Sequence, residues 1–410
     1  MKKLLLIALL FCFSQTKAQF VTIPDANFVT YLQSVIPAAM NGNQMDTTSA
    51  SVTSLNSIVV GGDSISNLTG LQYFDLLTSL DCSYNNLTNL PKLPNSLTYL
   101  YCYYNQLGSL PALPNSIYVL GCNYNQLTNL PVLPNLIEQI NCSGNHLTSL
   151  PTLPITLQSL DCSYNQLTNL PILPNSLTGL TCTNNQLANL PTLSDSLQYL
   201  DCSYNQLTNV PALSNNLKSL YCNNNQLVSL PALPNSLKYL NCSYNQLTSL
   251  PILPNLYKFI CNNNGITCFP VFPNSIYVPA SGIPMPQVVF NISSNPFTCL
   301  PNYIDVMDSA QLANPLCAAG NSNGCPVAAT GISTFNTQNS IVKIYPNPAQ
   351  NKITIDANNV VDVKLFDVLG KQINSTKENQ LDVSNLNDGV YFVQVKTNQS
   401  TSTQKIIVQH

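Results

Sequence analysis

The sequence predicts a solenoid of short parallel strands, closed at its start by a helical cap and followed by a small antiparallel β-sandwich. Three observations carry this. Cysteine recurs at 82, 102, 122, 142, 162, 182, 202, 222 and 242, always 20 residues apart, and once more at 261 after a single deletion near Asn255-Leu256. Around each stands one motif, as in Leu97-x-x-Leu100-x-Cys102-x-x-Asn105-x-Leu107-x-x-Leu110-Pro111-x-Leu113-Pro114. From Ile341 onward the pattern changes to alternation of apolar and polar residues. A unit of 20 residues cannot bury its apolar face alone, so such units must stack into one continuous core.

The 410-residue chain is weakly charged: 8% of residues are Asp, Glu, Lys or Arg, the net charge is −3, and there is no arginine. A nucleic-acid partner is not expected, because counterion release needs clustered positive charge. Asn, Ser, Thr, Gln and Tyr cover the surface instead.

Residues 1–18 read as a secretory signal peptide: Met1-Lys2-Lys3, an apolar run from Leu4 to Phe13, and Ala18 before the cut. The run is too short for a stable membrane span, so none is expected after cleavage. Cys12 is not a lipidation site, since Leu10-Phe11 before it lacks the small residue required.

Residues 19–76 form the cap and irregular entry units. Phe28, Tyr31, Leu32 and Val35 recur at helical spacing, with Pro24 or Asp25 suited to the first turn. Asn41 to Asp46 reads as a loop, and its single acid is a poor calcium site. Val52-x-x-Leu55 and Ile65-x-x-Leu68-x-x-Leu71 then lead into the regular units, which fill residues 77–273.

Within each regular unit, pleat periodicity assigns the roles. Leu100 and Cys102 point into the core, and residues 99, 101 and 103 point out on the concave side. The asparagines at 85, 105, 125, 145, 165, 185, 205, 225, 245 and 264 sit where the strand turns away, where an amide can serve unpaired backbone groups. The Leu-Pro-x-Leu-Pro segment makes a convex return path of irregular or polyproline-like form.

Cysteines of one column lie ~4.8 Å apart across parallel strands, whereas a disulfide prefers about 3.5–4.5 Å between Cβ atoms. The ten repeat cysteines are therefore expected as buried free thiols. Cys268, Cys299, Cys317 and Cys325 fall outside the column in an exported chain and are candidates for two disulfides, with three pairings open.

No cofactor or metal site emerges. The chain has only His146 and His410; His146 stands in a column otherwise filled by Gln or Asn, before Leu147. Asp81, Asp161 and Asp201 share an outward column, and Asp161 and Asp201, ~10 Å apart by strand spacing, are the one pair that could flank a sugar. Thr181 stands in the unit between them and an open curved face does not exclude water, so no catalytic residue is assigned.

Tyrosine carries the binding signal. Tyr84, Tyr104, Tyr124, Tyr164, Tyr204 and Tyr244 recur in one column, and Tyr99, Tyr101, Tyr199, Tyr221 and Tyr239 add rings beside it. A rigid apolar plate with a polar tip suits protein and carbohydrate alike; equally, such rings can stack on one another and shield the core.

Asn295-Pro-Phe297-Thr-Cys299-Leu300-Pro301 echoes Asn264-Gly-Ile266-Thr-Cys268-Phe269-Pro270, so a decayed unit and cap are expected over 274–325, then a linker over 326–340. In residues 341–410 short alternating strands are separated by Pro-Asn, Leu-Gly and Asp-Gly turns.

Two resemblances follow from these motifs. The repeats resemble short leucine-rich repeats of secreted bacterial proteins. Ile344-Tyr-Pro-Asn-Pro348, Val363 to Lys371, Leu386 to Val393 and Gln404 to Val408 resemble the type A sorting domain of the type IX secretion system of Bacteroidota. That resemblance implies the secretion machinery as partner and marks Tyr345, Pro346, Asn347, Pro348, Gly370, Lys371, Gly389, Tyr391 and Lys405 as its motif. It also implies a protein secreted or attached at the outer-membrane surface after passing through the periplasm. Together the readings point to a non-enzymatic recognition or adhesion protein that binds an extracellular protein or glycan on its concave face. The alternatives are a rigid spacer or matrix component and, less well supported, a glycan-processing enzyme.

Overall fold

The structure is a computed structural model; it describes residues 19–273, 290–317, 342–357, 359–367, 371–398 and 401–410. The signal segment 1–18, the stretch 274–289, Cys325, the linker 326–340 and Gly370 lie outside those residues. The fold divides into two compact units with the boundary at Pro326–Val327.

The first unit opens with β1 (Phe20–Thr22), α1 (Ala26–Val35), β2 (Met40–Asn41) and β3 (Gln44–Asp46). Asp25 caps α1: its Oδ1 accepts from the Asn27 and Phe28 amides at 3.0 Å each. Its Oδ2 accepts from Ser66 N (2.7 Å) and Ser66 Oγ (2.8 Å), which ties the cap to the entry unit. Burial works against the charge on Asp25, but these hydrogen bonds prevail and hold its carboxyl below the usual range. Phe28 and Leu32 fill the end of the core.

The segment from Asn41 to Asp46 is not a loop. It is a hairpin whose β3 pairs with both β1 and β2, antiparallel. Gly42 at φ 59° supplies the left-handed residue that so tight a connection needs. Only Met45 of β3 is buried, so three residues are too few to display a period of two.

After α2 (Ala50–Thr53), β4 (Ser57–Val59) begins a 12-stranded parallel sheet. It continues through β5 (Ser79–Asp81), β6 (Tyr99–Tyr101), β7 (Val119–Gly121), β8 (Gln139–Asn141), β9 (Ser159–Asp161) and β10 (Gly179–Thr181). Then come β11 (Tyr199–Asp201), β12 (Ser219–Tyr221), β13 (Tyr239–Asn241), β14 (Lys258–Ile260) and β15 (Phe290–Asn291). Neighbours pair in exact repeat register, for example Leu180 with Leu160 and Leu200. In β5 to β14 the middle residue and the cysteine after the strand are buried, Val60 and Ile292 take the cysteine's place after β4 and β15, and all ten repeat cysteines are free thiols.

The asparagine column closes the turns between repeats. Asn165 Nδ2 donates to the carbonyls of Cys142 and Cys162, 3.1 Å each, and its Oδ1 accepts from Leu147 N at 3.0 Å. Every such side chain links its own turn to the one before, which is why the residue repeats. At the far end α3 (Ser309–Leu312) carries a capping box between Asp308 and Gln311. Cys299 is bonded to Cys317, with Cα atoms 5.0 Å apart, and Cys268 is also disulfide-bonded.

The second unit comprises β16 (Lys343–Tyr345), β17 (Lys352–Asp356), β18 (Val360–Phe366), β19 (Gln372–Thr376), β20 (Gln380–Asp382), β21 (Gly389–Thr397) and β22 (Thr401–Val408). They form antiparallel sheets of order β16-β17-β20 and β19-β18-β21-β22. Ile353, Ile355, Val363, Leu365, Val393, Val395 and Ile406 make their common core. The alternation of β18 accounts for it: Val363 and Leu365 are buried, and Lys364 between them is only partly covered.

Candidate functional site: the concave face and its tyrosine column

The column of Tyr84, Tyr104, Tyr124, Tyr164, Tyr204 and Tyr244 begins where the strand ends, and every member has a left-handed backbone with φ between 52° and 54°. Asn184, Asn224 and Asn263 occupy the same position in the intervening turns at φ 54–56°, and Gly144 does so at 65°. Asparagine and glycine take this conformation readily, whereas a bulky side chain pays for it with ~1–3 kcal/mol of strain.

The six rings fall into two sets. Tyr84, Tyr104 and Tyr124 lie nearly parallel, with centroids 4.7 and 4.4 Å apart, so Tyr104 is sandwiched and each ring is covered by another. Burial first, then the neighbouring Tyr124 and Tyr84, raise the pKa of the Tyr104 hydroxyl. The stack stops at Gly144, where an added Cβ would stand 2.7 Å from the Tyr124 ring. Tyr164, Tyr204 and Tyr244, by contrast, contact no other ring among the described residues; they are 56%, 52% and 53% exposed, about as open as Tyr84 at the end of the stack, 58%.

On the strands, Tyr199 and Tyr221 approach to 5.8 Å. Tyr99 meets Tyr118 at 6.2 Å and Tyr239 meets Tyr257 at 6.1 Å, both edge to face. Tyr101 covers the position where Gly121 has no side chain, 3.1 Å from its missing Cβ. Tyr199 is pushed up to about 12 by burial, then by Asp201 and Tyr221. Sequence reasoning passed over Tyr103, Tyr118 and Tyr257. Their columns hold a ring in only a few turns, and the signal that finds them is the ladder register itself.

The aspartates of the concave face are held in turns. Asp161 Oδ1 accepts from Ser163 N (3.0 Å) and Ser163 Oγ (2.7 Å), and Asp81 and Asp201 do the same with Ser83 and Ser203. Asn141 and Asn241 make the same bonds to Ser143 and Ser243 with a neutral amide, so the geometry serves the turn irrespective of charge. Thr181 stands between Asp161 and Asp201 in the ladder. Among the described residues no three His, Cys, Asp or Glu side chains gather as a metal site would require.

In the second unit, Asn347 is built into the fold: its Nδ2 donates to Lys405 O (3.2 Å) and its Oδ1 accepts from Ile407 N (2.8 Å). The flanking Tyr345–Pro346 and Asn347–Pro348 bonds are cis, and Tyr345 is half exposed. Tyr391 Oη donates to Asn387 O at 2.9 Å, Lys371 N to Asp367 Oδ1 at 2.9 Å, and Gly389 opens β21. Pro346, Pro348, Lys352, Gln409 and His410 line an open cleft of about 610 Å³.

The family model for the Secretion system C-terminal sorting domain matches residues 343–409. Models for Leucine Rich repeats match residues 195–235, 156–180 and 236–259. No curated protein matches the chain. Among solved structures, YopM from Yersinia enterocolitica is 38% identical with a TM-score of 0.44; the match covers 49% of this chain and half the length of that one, 50%. YopM from Yersinia pestis is 31% identical over 49% of this chain and 76% of that one, with a TM-score of 0.33. The functional domain of InlJ from Listeria monocytogenes, which includes a cysteine ladder, is 18% identical over 96% and 99% of the two chains, with a TM-score of 0.42. No helix among the described residues is long and apolar enough to cross a membrane. The chain is a leucine-rich repeat protein carrying a secretion system C-terminal sorting domain, the mark of export by type IX secretion to the cell surface or outside.

Proposed function

We propose that the solenoid is a non-enzymatic recognition module that, once exported, binds an extracellular protein or glycan through its concave face. The observation that carries this reading is the second set of rings. Tyr164, Tyr204 and Tyr244 occupy a backbone conformation that the same column fills in other turns with asparagine, glycine or serine, and they gain no ring stacking in return. Strain without a local compensation points to use by something outside the chain. The first three rings compensate one another and serve the fold. Capture of Asp161 and Asp201 by their serines, on an open face, speaks against glycan hydrolysis.

The test starts from a broad binding screen with the whole secreted chain. For the partner found, Tyr164→Asn together with Tyr204→Asn is expected to weaken binding at least tenfold, about 1.4 kcal/mol, while the melting temperature holds or rises. A melting temperature that falls, with binding per folded molecule unchanged, would assign these rings to the fold and refute the reading.

A further inference from the structure

Charge is segregated along the solenoid. Residues 19–201 contain nine acids and one lysine, Lys92, whereas residues 202–304 contain Lys218, Lys238 and Lys258 and no acid. Lys238 N donates to Lys218 O at 2.8 Å, so these two lysines stand in one column on consecutive turns, at the entrances to β12 and β13. Lys258 is the first residue of β14. Two ammonium groups on adjacent strands, ~4.8 Å apart at the backbone, repel one another and raise the cost of folding.

Their surroundings orient them without neutralising them. Lys218 Nζ donates to Gln198 Oε1 at 2.9 Å. Lys238 Nζ donates to Asn255 O at 3.1 Å and lies 5.6 Å from the centre of the Tyr257 ring. Among the described residues, no carboxylate stands within ion-pair reach of Lys218 or Lys238. Tyr239 and Tyr257 present partly open rings, 37% and 47% exposed, beside the ammonium groups. The nearest acid on the concave face, Asp201, is turned to Ser203.

We propose that this rim, Lys218 and Lys238 with Tyr239, Tyr257 and Gln198, binds an acidic glycan, the ammonium groups taking the sugar carboxylates and the rings stacking on the sugar faces. The inference rests on the recognition reading above and names its ligand class. A positive rim on an otherwise acidic solenoid selects an anion. Ring faces beside an amide suit sugar C–H surfaces and hydroxyls, and supply what charge alone would not.

The probe is polygalacturonate, titrated against the whole secreted chain at low and at raised salt. Dextran serves as the neutral comparison, and poly-glutamate and the protein alone as competitors. Polygalacturonate is expected to bind, more weakly as salt rises, and dextran to bind at least tenfold more weakly. Lys218→Gln with Lys238→Gln should cost tenfold or more without lowering the melting temperature, and Lys92→Gln should cost nothing. Equal binding by the double variant overturns the proposal. So does poly-glutamate bound as tightly, which would reassign the rim to acidic peptides, or self-association abolished by the same two substitutions, which would reassign it to a second copy of the chain. If a partner is lost on Tyr164→Asn/Tyr204→Asn yet indifferent to the lysine substitutions, recognition stands and the acidic-glycan assignment falls.

Discussion

Ten buried thiols make the solenoid sensitive to mild alkali. Desolvation pushes each thiol upward, to about 12 for Cys122 and well above its ordinary value for Cys102, Cys142 and Cys182, so none ionises in the folded state near pH 9. In the unfolded chain each titrates near 8.5. The folded state therefore binds more protons than the unfolded one once pH exceeds that value, and stability falls as pH rises from the unfolded towards the folded pKa. Below about pH 7.5 the contribution is intact. Between pH 7.5 and 9 each thiol costs about 0.8 kcal/mol, so an array of ten unfolding as one unit loses about 8 kcal/mol. That is comparable with the whole stability of an ordinary domain. The assay is urea denaturation at pH 7.5, 8.5 and 9 under argon without added reductant, read within times short against thiol–disulfide exchange with the Cys299–Cys317 bond. Replacing Cys122, Cys142, Cys162 and Cys182 by alanine should lower stability at every pH but flatten its slope by about four parts in ten. A midpoint constant from pH 7.5 to 9 would refute the assignment of these residues as buried, protonated thiols.

Two further outcomes are expected. Asn165→Ala should cost about 1–3 kcal/mol, the price of one orphaned buried amide, Leu147 N. The Cys142 and Cys162 carbonyls each keep a second donor, from Asn145 and Asn185. Unchanged hydrogen-exchange protection at Leu147 would contradict it. Deleting residues 341–410 should leave the protein in the periplasm, because the sorting domain matched over 343–409 is what marks it for type IX export; undiminished appearance of the truncated protein in the medium, without lysis, would overturn this.

The solenoid, its phase and its core were legible in the residue pattern alone. A fixed period of 20 residues forces equivalent residues into columns, so the leucines, cysteines and asparagines could be placed inside or at the turn without coordinates. Alternation in Val363-Lys364-Leu365 did the same for the second unit. Elements without a period were not legible. The hairpin from Met40 to Asp46 is held by partners brought from β1, and its few residues encode no pattern. The tyrosine column was readable as a column, but its division into stacked and open rings depended on a left-handed φ and on ring planes, which follow from how neighbouring turns pack. In the same way the three lysines are scattered 20 residues apart along the chain. Only the parallel ladder, which sets turn upon turn at strand spacing, brings Lys218 and Lys238 into one column with Tyr257, while the deletion near Asn255 moves Lys258 into the column of Tyr239.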